Sequence, residues 1–502
     1  MNTTNIQDIP FEKFLCDIKE RMKNVFHVRA SIDQIALKRG MPPFVLREIM
    51  SLNPLSVAIP VAYGGRGSKM EETIALLEAT AYESLALSLT LGINMALFLQ
   101  PVGKYGQEEI KQPIFDRFLN HQNMGGLMIT EPGFGSDALN MQTHFTEVNG
   151  KYKLRGLKHW AGLTGWAEYW LLTARERLPS GELKRDIDFF ICDETSPGQQ
   201  IIVEEVFSNL GLYQIPYGRN RIDVTLPKTH KLIPETTGLK MMLDLLHRSR
   251  LHIPGMAIGF VKRMLDESMA HVKQRYIGGK SLFSHDQVQQ RLAKLQSYYT
   301  ICAAMCAHSC KTADINNDLS MIGFESNSVK CVVTDIMQES AQSATQLFGA
   351  SAFKLDHIAG RGIIDSRPFQ IFEGPNDILY TQITGSLLKM MKKAKESNLY
   401  HFLKDFDLTA KSAAFFKKLL DFDLDTNLPQ RKMVELGQVL GRIVSSEMVI
   451  NLGDSGYRKD LINNGLEMLN QEITSLISGF NVKNTTAVVE DYNENSSWRG
   501  FR

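Results

Sequence analysis

The chain has 502 residues, too many for one ordinary core, so three or four domains are expected; 43% apolar and 22% charged residues are the proportions of a globular protein. Its 56 basic and 55 acidic side chains nearly cancel, which gives no support to nucleic-acid binding. Six cysteines in this length make no disulfide framework and fit a reducing compartment.

The first residues, MNTTNIQDIPFEKF, lack both a basic-then-apolar leader and the Arg-rich, acid-poor pattern of a transit peptide. No apolar run is expected to span a bilayer, so the expected address is the cytoplasm. Residues 1–124 read as helical, with Ile74, Leu77, Ala81, Leu85 and Leu89 at helical spacing after the turn Tyr63-Gly64-Gly65-Arg66-Gly67. Residues 125–236 read as a β-domain. Strand-like runs cover 125–129, 143–148, 151–160, 169–174, 187–192, 201–206 and 221–226, and Asn149-Gly150 is a hairpin turn. Short strands joined by turns suggest a compact β-barrel or sandwich.

Helical periodicity returns over 237–392 and predicts an antiparallel four-helix bundle. Its helices are marked by Val261, Leu265, Met269 and Val272, by Leu292 and Leu295, by residues 329–348 and by residues 378–391. Residues 393–502 read as a helical extension, with one apolar stripe through Ile462, Leu466, Leu469, Ile473 and Leu476 and a polar, loose tail. The stripe is open to two readings, a membrane contact or a solvated packing domain. Cys302, Cys306 and Cys310 with His308 nearby could suggest a metal. Thiols spread over two helical turns converge poorly on one ion, and small core residues explain them better.

Two strings carry chemistry. Thr130-Glu131-Pro132-Gly133-Phe134-Gly135-Ser136-Asp137 follows a strand and makes a tight turn. It reads as a surface turn, or as a turn aiming N–H groups and the Thr130 and Ser136 hydroxyls at a ligand; it has no Rossmann spacing. Ile371-Phe372-Glu373-Gly374-Pro375-Asn376-Asp377 places a carboxylate among apolar neighbours before a helix. Glu373 is a charge at a helix start, or a partly desolvated general base.

Together these strings resemble the acyl-CoA dehydrogenase family, over roughly residues 55–390. Ile59 to Gly67 is similar to the family's "P-x-x-Y-G-G-x-G", and Tyr105 to Lys111 to its "G-x-x-x-Q-K". Thr130 to Asp137 is its most specific string, and Gly156-Leu157-Lys158-His159-Trp160 matches "G-x-K-x-W". Arg250 with Gly259 resembles the first bundle helix, Gln346 to Gly349 matches "Q-x-x-G", and Ile371 to Leu379 matches "Y-E-G-T-x-x-I".

The resemblance implies a mainly α fold with a central β-barrel: an N-terminal helical domain, the β-domain and a four-helix bundle, here with extra C-terminal helices. It implies FAD, held between β-domain and bundle and completed by a neighbouring subunit in a homodimer or homotetramer. Thr130 would bond the flavin ring and Trp160 pack beside it, with Ser136 by the acyl chain. Arg275, Gln346 and Gly349 would reach the FAD diphosphate region across the subunit interface. Arg250, Phe372 and Gly374 would border the substrate. Glu373 would remove the α proton of an acyl thioester while hydride passes from the β carbon to flavin N5. The product would be a trans-2-enoyl thioester. Electrons would go on to an electron-transferring flavoprotein.

Several positions depart from the pattern. Gly162 and Pro375 replace hydroxyl residues, Ile364 replaces an arginine, His247 an acid, and Arg275-Tyr276-Ile277-Gly278-Gly279 has Gly278 where the family's "R-x-x-F-G" has its aromatic. Ser249 stands where some relatives carry the base, which leaves Glu373 as the candidate. The departures keep three alternatives open: an acyl-carrier-protein-linked dehydrogenase, a flavin oxidase on the same fold, or a non-catalytic flavoprotein scaffold.

Overall fold

The computed structural model describes residues 6–482, 486–494 and 497–501. Residues 483–485, 495, 496 and 502, part of the tail read as loose, lie outside the described residues.

The N-terminal helices include Phe11–Lys23, Pro43–Met50, Met70–Glu83, Leu85–Asn94 and Glu108–His121. Ser84, in extended backbone, separates two of them, and its hydroxyl accepts from the Leu87 N–H as an N-cap. The helical run Leu85–Tyr105 is long and apolar enough to cross a bilayer, contrary to the sequence expectation. Its residues are almost all buried inside the protein, so its hydropathy is that of a core helix. At Gly92 and Gly259 the N-terminal helices and the bundle meet closely. An added Cβ at Gly259 would sit 2.1 Å from the Glu78 carbonyl oxygen.

Seven strands follow: β1 (Gly125–Met128), β2 (His144–Val148), β3 (Lys151–Gly162), β4 (Tyr169–Glu176), β5 (Asp188–Asp193), β6 (Ile202–Val206) and β7 (Tyr217–Pro227). They form one curled sheet in the order β1-β4-β2-β3-β7-β6, with β5 also on β4. β4 pairs in parallel with β1 through Tyr169–Leu172 and with β2 through Arg175 and Glu176, so one strand joins the sheet's halves. The β2–β3 hairpin turns at Asn149 and Gly150, both at positive φ (51° and 73°), as a two-residue hairpin with right-handed strands requires. In β7 alternate residues Gly218, Asn220, Ile222, Val224 and Leu226 are buried, the period of a half-covered strand.

The bundle helices are Gly238–Gln274, Asp286–Thr312, Gly323–Phe348 and Asn376–Ala394. A short helix, Ile358–Ser366, which periodicity did not suggest, packs on the third. The extension folds back on this bundle. Its helix Gln430–Asp454 packs against the second, third and fourth bundle helices, and Lys459–Phe480 against the second. Ile462, Leu469 and Ile473 of the apolar stripe are buried there, and Leu466 and Leu476 pack against the same core. That packing uses the face that a membrane contact would need.

Candidate active site

The fold brings the two chemical strings to one cavity of about 410 Å³ between the sheet, the Leu85–Asn94 helix and the bundle. Thr130, Ser136, Trp160, Arg250, Phe372, Glu373 and Gly374 all border it. Much of the remaining wall is apolar, including Leu89, Ile93, Leu243, Leu246 and Ile378.

Glu373 sits three residues before the fourth bundle helix, which starts at Asn376. Its backbone is left-handed (φ 56°), and Gly374 follows at φ 98°. Such a conformation is uncommon for a residue with a Cβ and holds only where neighbours over-determine it. Here they do. Arg250 donates to the Glu373 carbonyl from Nη2 (2.7 Å) and Nε (3.2 Å), and to Asn327 Oδ1 from Nη1 (2.7 Å). Lys330, fully buried, donates to the Gly374 carbonyl at 2.8 Å. The positive φ at Gly374 favours glycine, and a Cβ there would stand 2.9 Å from Leu379 Cδ2, which would have to shift.

The carboxylate itself is half satisfied. Ser249 Oγ donates to Oε1 at 2.6 Å, while Oε2 is out of contact with water and has no hydrogen-bond partner. Burial pushes the acid's pKa up; the Ser249 hydroxyl and the Arg250 and Lys330 charges offset part of that rise. A carboxylate with a free oxygen in an apolar cavity can take a proton from carbon. The sequence set Ser249 aside as unable to act as a base, and the structure places it against the Glu373 carboxylate. A separation of 124 positions carries no sequence signal for that contact.

On the sheet side Thr130 lies two residues beyond β1, and its carbonyl accepts from the His159 N–H at 2.8 Å. Next to this tie the β3–β7 register shifts between His159 and Ala161. Trp160 is the bulged residue at φ 56°, and the bulge turns its indole out, 55% exposed and 4.5 Å from the Phe207 ring centroid. The "G-x-K-x-W" lysine and the glutamate after Thr130 form a buried pair. Lys158 donates to Glu131 Oε1 (2.8 Å) and Thr173 Oγ1 (2.9 Å). Glu131 also accepts from the Gln142 (2.6 Å) and Thr143 (3.0 Å) N–H groups. This pair fastens the turn Glu131-Pro132-Gly133-Phe134, closed by the Phe134 N–H on the Glu131 carbonyl, to the strand that carries Trp160.

Gly162 faces Ile93 and Tyr217. A Cβ there would lie 2.8 Å from Ile93 Cδ1 and 3.3 Å from Tyr217 Cε1, so these side chains fill the room that a hydroxyl residue would take. The Tyr217 phenol borders the cavity and, among the described residues, its hydroxyl has no protein partner. Burial holds that phenol protonated, well above the usual range. Tyr217 was missed because a tyrosine in an alternating strand looks like any other. Its neighbour Gly162, in a strand interior, was the available signal. His247 also borders the cavity. Its Nδ1 donates to the Leu319 carbonyl (2.7 Å), and burial, with the Arg250 charge, pushes it down to about 4, so the ring is neutral.

Arg275, Gln346 and Gly349 are exposed and do not border this cavity. They lie together at one end of the bundle, where Leu347 packs with Val272 and Leu282, and His271 meets Phe348 at 4.4 Å. The cysteines of the second bundle helix pack in the core, and among the described residues no cluster of three or more His, Cys, Asp or Glu is arranged to hold a metal ion.

Fold and cavity together define a class: N-terminal helices, curled sheet and helical bundle meeting at one cavity bordered by a buried carboxylate. Sequence profiles of the acyl-CoA dehydrogenase family match three successive segments, the N-terminal domain over 22–122, the middle domain over 126–224 and the C-terminal domain over 236–388. The chain belongs to the acyl-CoA dehydrogenase family. An acyl-CoA dehydrogenase of Bacillus subtilis (strain 168) is 26% identical over 352 residues, 69% of this chain and 90% of that protein. An acyl-CoA dehydrogenase from Bacillus anthracis, solved with FAD, is similar in structure with a TM-score of 0.77, covering 97% of this chain and 92% of that one at 17% identity. Butyryl-CoA dehydrogenase from Megasphaera elsdenii gives a TM-score of 0.68, covering 77% and 99% at 22% identity.

Proposed function

We propose that the protein is an FAD-dependent acyl thioester dehydrogenase in which Glu373 removes the proton beside the thioester carbonyl. The observation that carries this reading is the unpartnered, buried Oε2 of Glu373 at an apolar cavity. Bound FAD would supply the acceptor for the β-carbon hydride. The chain's residues fit such a group: the Trp160 indole turned out by its bulge, Thr130 beside it, and the Tyr217 hydroxyl with no protein partner.

The remaining chemistry belongs to the protein. The apolar wall takes the acyl chain and excludes water from the base. The Glu373 N–H, which precedes the helical ladder, would donate to the thioester oxygen as negative charge builds there. Ser249 holds Oε1 so that Oε2 is the atom presented to the α proton. Arg250 and Lys330 fix the successive carbonyls of Glu373 and Gly374 and so fix the carboxylate's position. Exposed Arg275, Gln346 and Gly349 would serve the cofactor of a second subunit, in a homodimer or homotetramer. The electron acceptor would be an electron-transferring flavoprotein.

Anaerobic titration with acyl-CoAs of increasing length tests the reading. Bleaching of the visible flavin band by one length class is the expected result. A bound flavin that no acyl-CoA bleaches would refute CoA thioesters as substrates, and the same titration with acyl-carrier protein would then decide between carriers. A protein that retains no flavin after reconstitution would overturn the reading.

A further inference from the structure

The C-terminal extension is joined to the Glu373 segment by an unbroken chain of buried and part-buried polar contacts. Arg442, on the extension helix Gln430–Asp454, donates from Nη1 to the Tyr380 hydroxyl at 3.1 Å. That hydroxyl donates to Asp335 Oδ2 at 2.7 Å. Asp335 Oδ1 accepts from Gln370 Nε2 (2.7 Å) and from Asn376 Nδ2 (2.8 Å), which bracket Glu373 on both sides. Asn376 Oδ1 accepts from Lys330 Nζ at 2.8 Å, and the same ammonium holds the Gly374 carbonyl. Arg442 is itself anchored within the extension, where Nε donates to Glu472 Oε2 at 3.1 Å, and Glu472 Oε1 accepts from the Tyr298 hydroxyl at 2.7 Å.

The helix bearing Arg442 is pressed close. A Cβ at Gly437 would fall 2.3 Å from the Tyr380 carbonyl oxygen, and one at Gly441 would fall 3.5 Å from Tyr380 Cε1. Thr384 Oγ1 donates to the Met433 carbonyl at 2.6 Å across the same seam. Tyr380 is 1% exposed, Lys330 fully buried and Asn376 8% exposed, so water is kept from these links, while Asp335 and Arg442 are part-buried. A side chain of a loosely attached appendage would not be held so.

We propose that Tyr380 and Arg442 are positioning residues, through which the C-terminal extension sets the backbone of residues 370–376 and thereby aims the Glu373 carboxylate. This rests on Glu373 as the base. The left-handed backbone at Glu373 gives the clamp its purpose: released, the segment relaxes toward ordinary dihedrals, and the free oxygen swings out of line.

Tyr380→Phe removes one hydroxyl and keeps the ring in the core. In the intact holoenzyme it is expected to lower kcat about tenfold. KM and retained flavin should stay unchanged, and amide exchange should accelerate in a peptide covering residues 370–380. Arg442→Lys, which cannot bridge Tyr380 and Glu472 together, should fall between wild type and Tyr380→Phe, and it carries the decision if Tyr380→Phe does not fold. Ile462→Val, in the extension core against Gly453 and away from these contacts, should lower Tm with kcat and the 370–380 exchange unchanged. Wild-type exchange in 370–380 together with wild-type kcat in Tyr380→Phe would overturn the proposal, as would an equal kcat loss in Ile462→Val. If the wild-type protein oxidises no thioester, the reading of the activity fails, and exchange alone still decides whether the extension holds the segment.

Discussion

Glu131 and Glu373 are both carboxylates withdrawn from water, and their surroundings are opposite. Glu131 accepts from two backbone N–H groups and from Lys158, and these donors outweigh burial and hold its pKa below the usual range. Glu373 has one donor, an orphan oxygen and a raised pKa. The count of donors, more than burial, separates a carboxylate that fastens two segments from one that can accept a proton.

The pH behaviour of the two should differ in sign. Glu131 is held more ionised in the folded state than in the unfolded one. Its contribution to stability is present above the ordinary carboxyl range and is lost as pH falls through its depressed pKa. Glu373 binds its proton more tightly when folded, so its contribution worsens as pH rises from the unfolded to the folded pKa.

Exchanging one atom at each site sharpens the contrast. Glu373→Gln should cut kcat by roughly 10³-fold or more while leaving flavin bound, and at pH 8 it should raise Tm, because a buried charge is gone. Turnover near wild type would remove Glu373 from the chemistry. Glu131→Gln leaves the fully buried Lys158 without a counter-charge and should cost about 3 kcal/mol in urea unfolding. Stability equal to wild type would mean the pair contributes nothing as an ion pair. Ser249→Ala removes the donor that favours the ionised base. The acid limb of kcat/KM should therefore move to higher pH, and a limb that stays put or moves down would contradict the contact's role. Tyr217→Phe should have the smallest effect, about three- to fivefold in kcat/KM, with Tm unchanged because its hydroxyl has no protein partner to lose.

The elements were largely legible in the sequence, since periodicity of two against 3.6 separates sheet from bundle. Asn149-Gly150 marked the hairpin because both residues tolerate the positive φ it requires. The short helix Ile358–Ser366 escaped because so short an element offers little periodicity, and in the sequence the apolar run 85–105 reads as too short to span a bilayer because polar residues such as Ser88, Thr90 and Asn94 interrupt it, although these are buried with it. At the site, the string around Glu373 gave the carboxylate and its place before a helix. It did not give the left-handed backbone, the Ser249 donor or the Lys330 anchor. Each of these depends on a residue far off in the chain, and a side-chain contact at that range has no local spacing to betray it. Arg442 lies beyond the segment that carries the resemblance, so the motif comparison could not reach it.

The bulge in β3 also gives the protein an optical reporter. Of its four tryptophans, Trp170 is sealed in the core, Trp166 is half-buried against Gly40 and Trp498 lies near the C-terminus, whereas Trp160 stands exposed at the cavity. Its emission should be quenched or shifted by whatever enters, flavin or thioester, and the difference from a Trp160→Phe protein isolates that signal. Occupancy could then be followed in real time under conditions where no reaction proceeds, and entry timed apart from turnover.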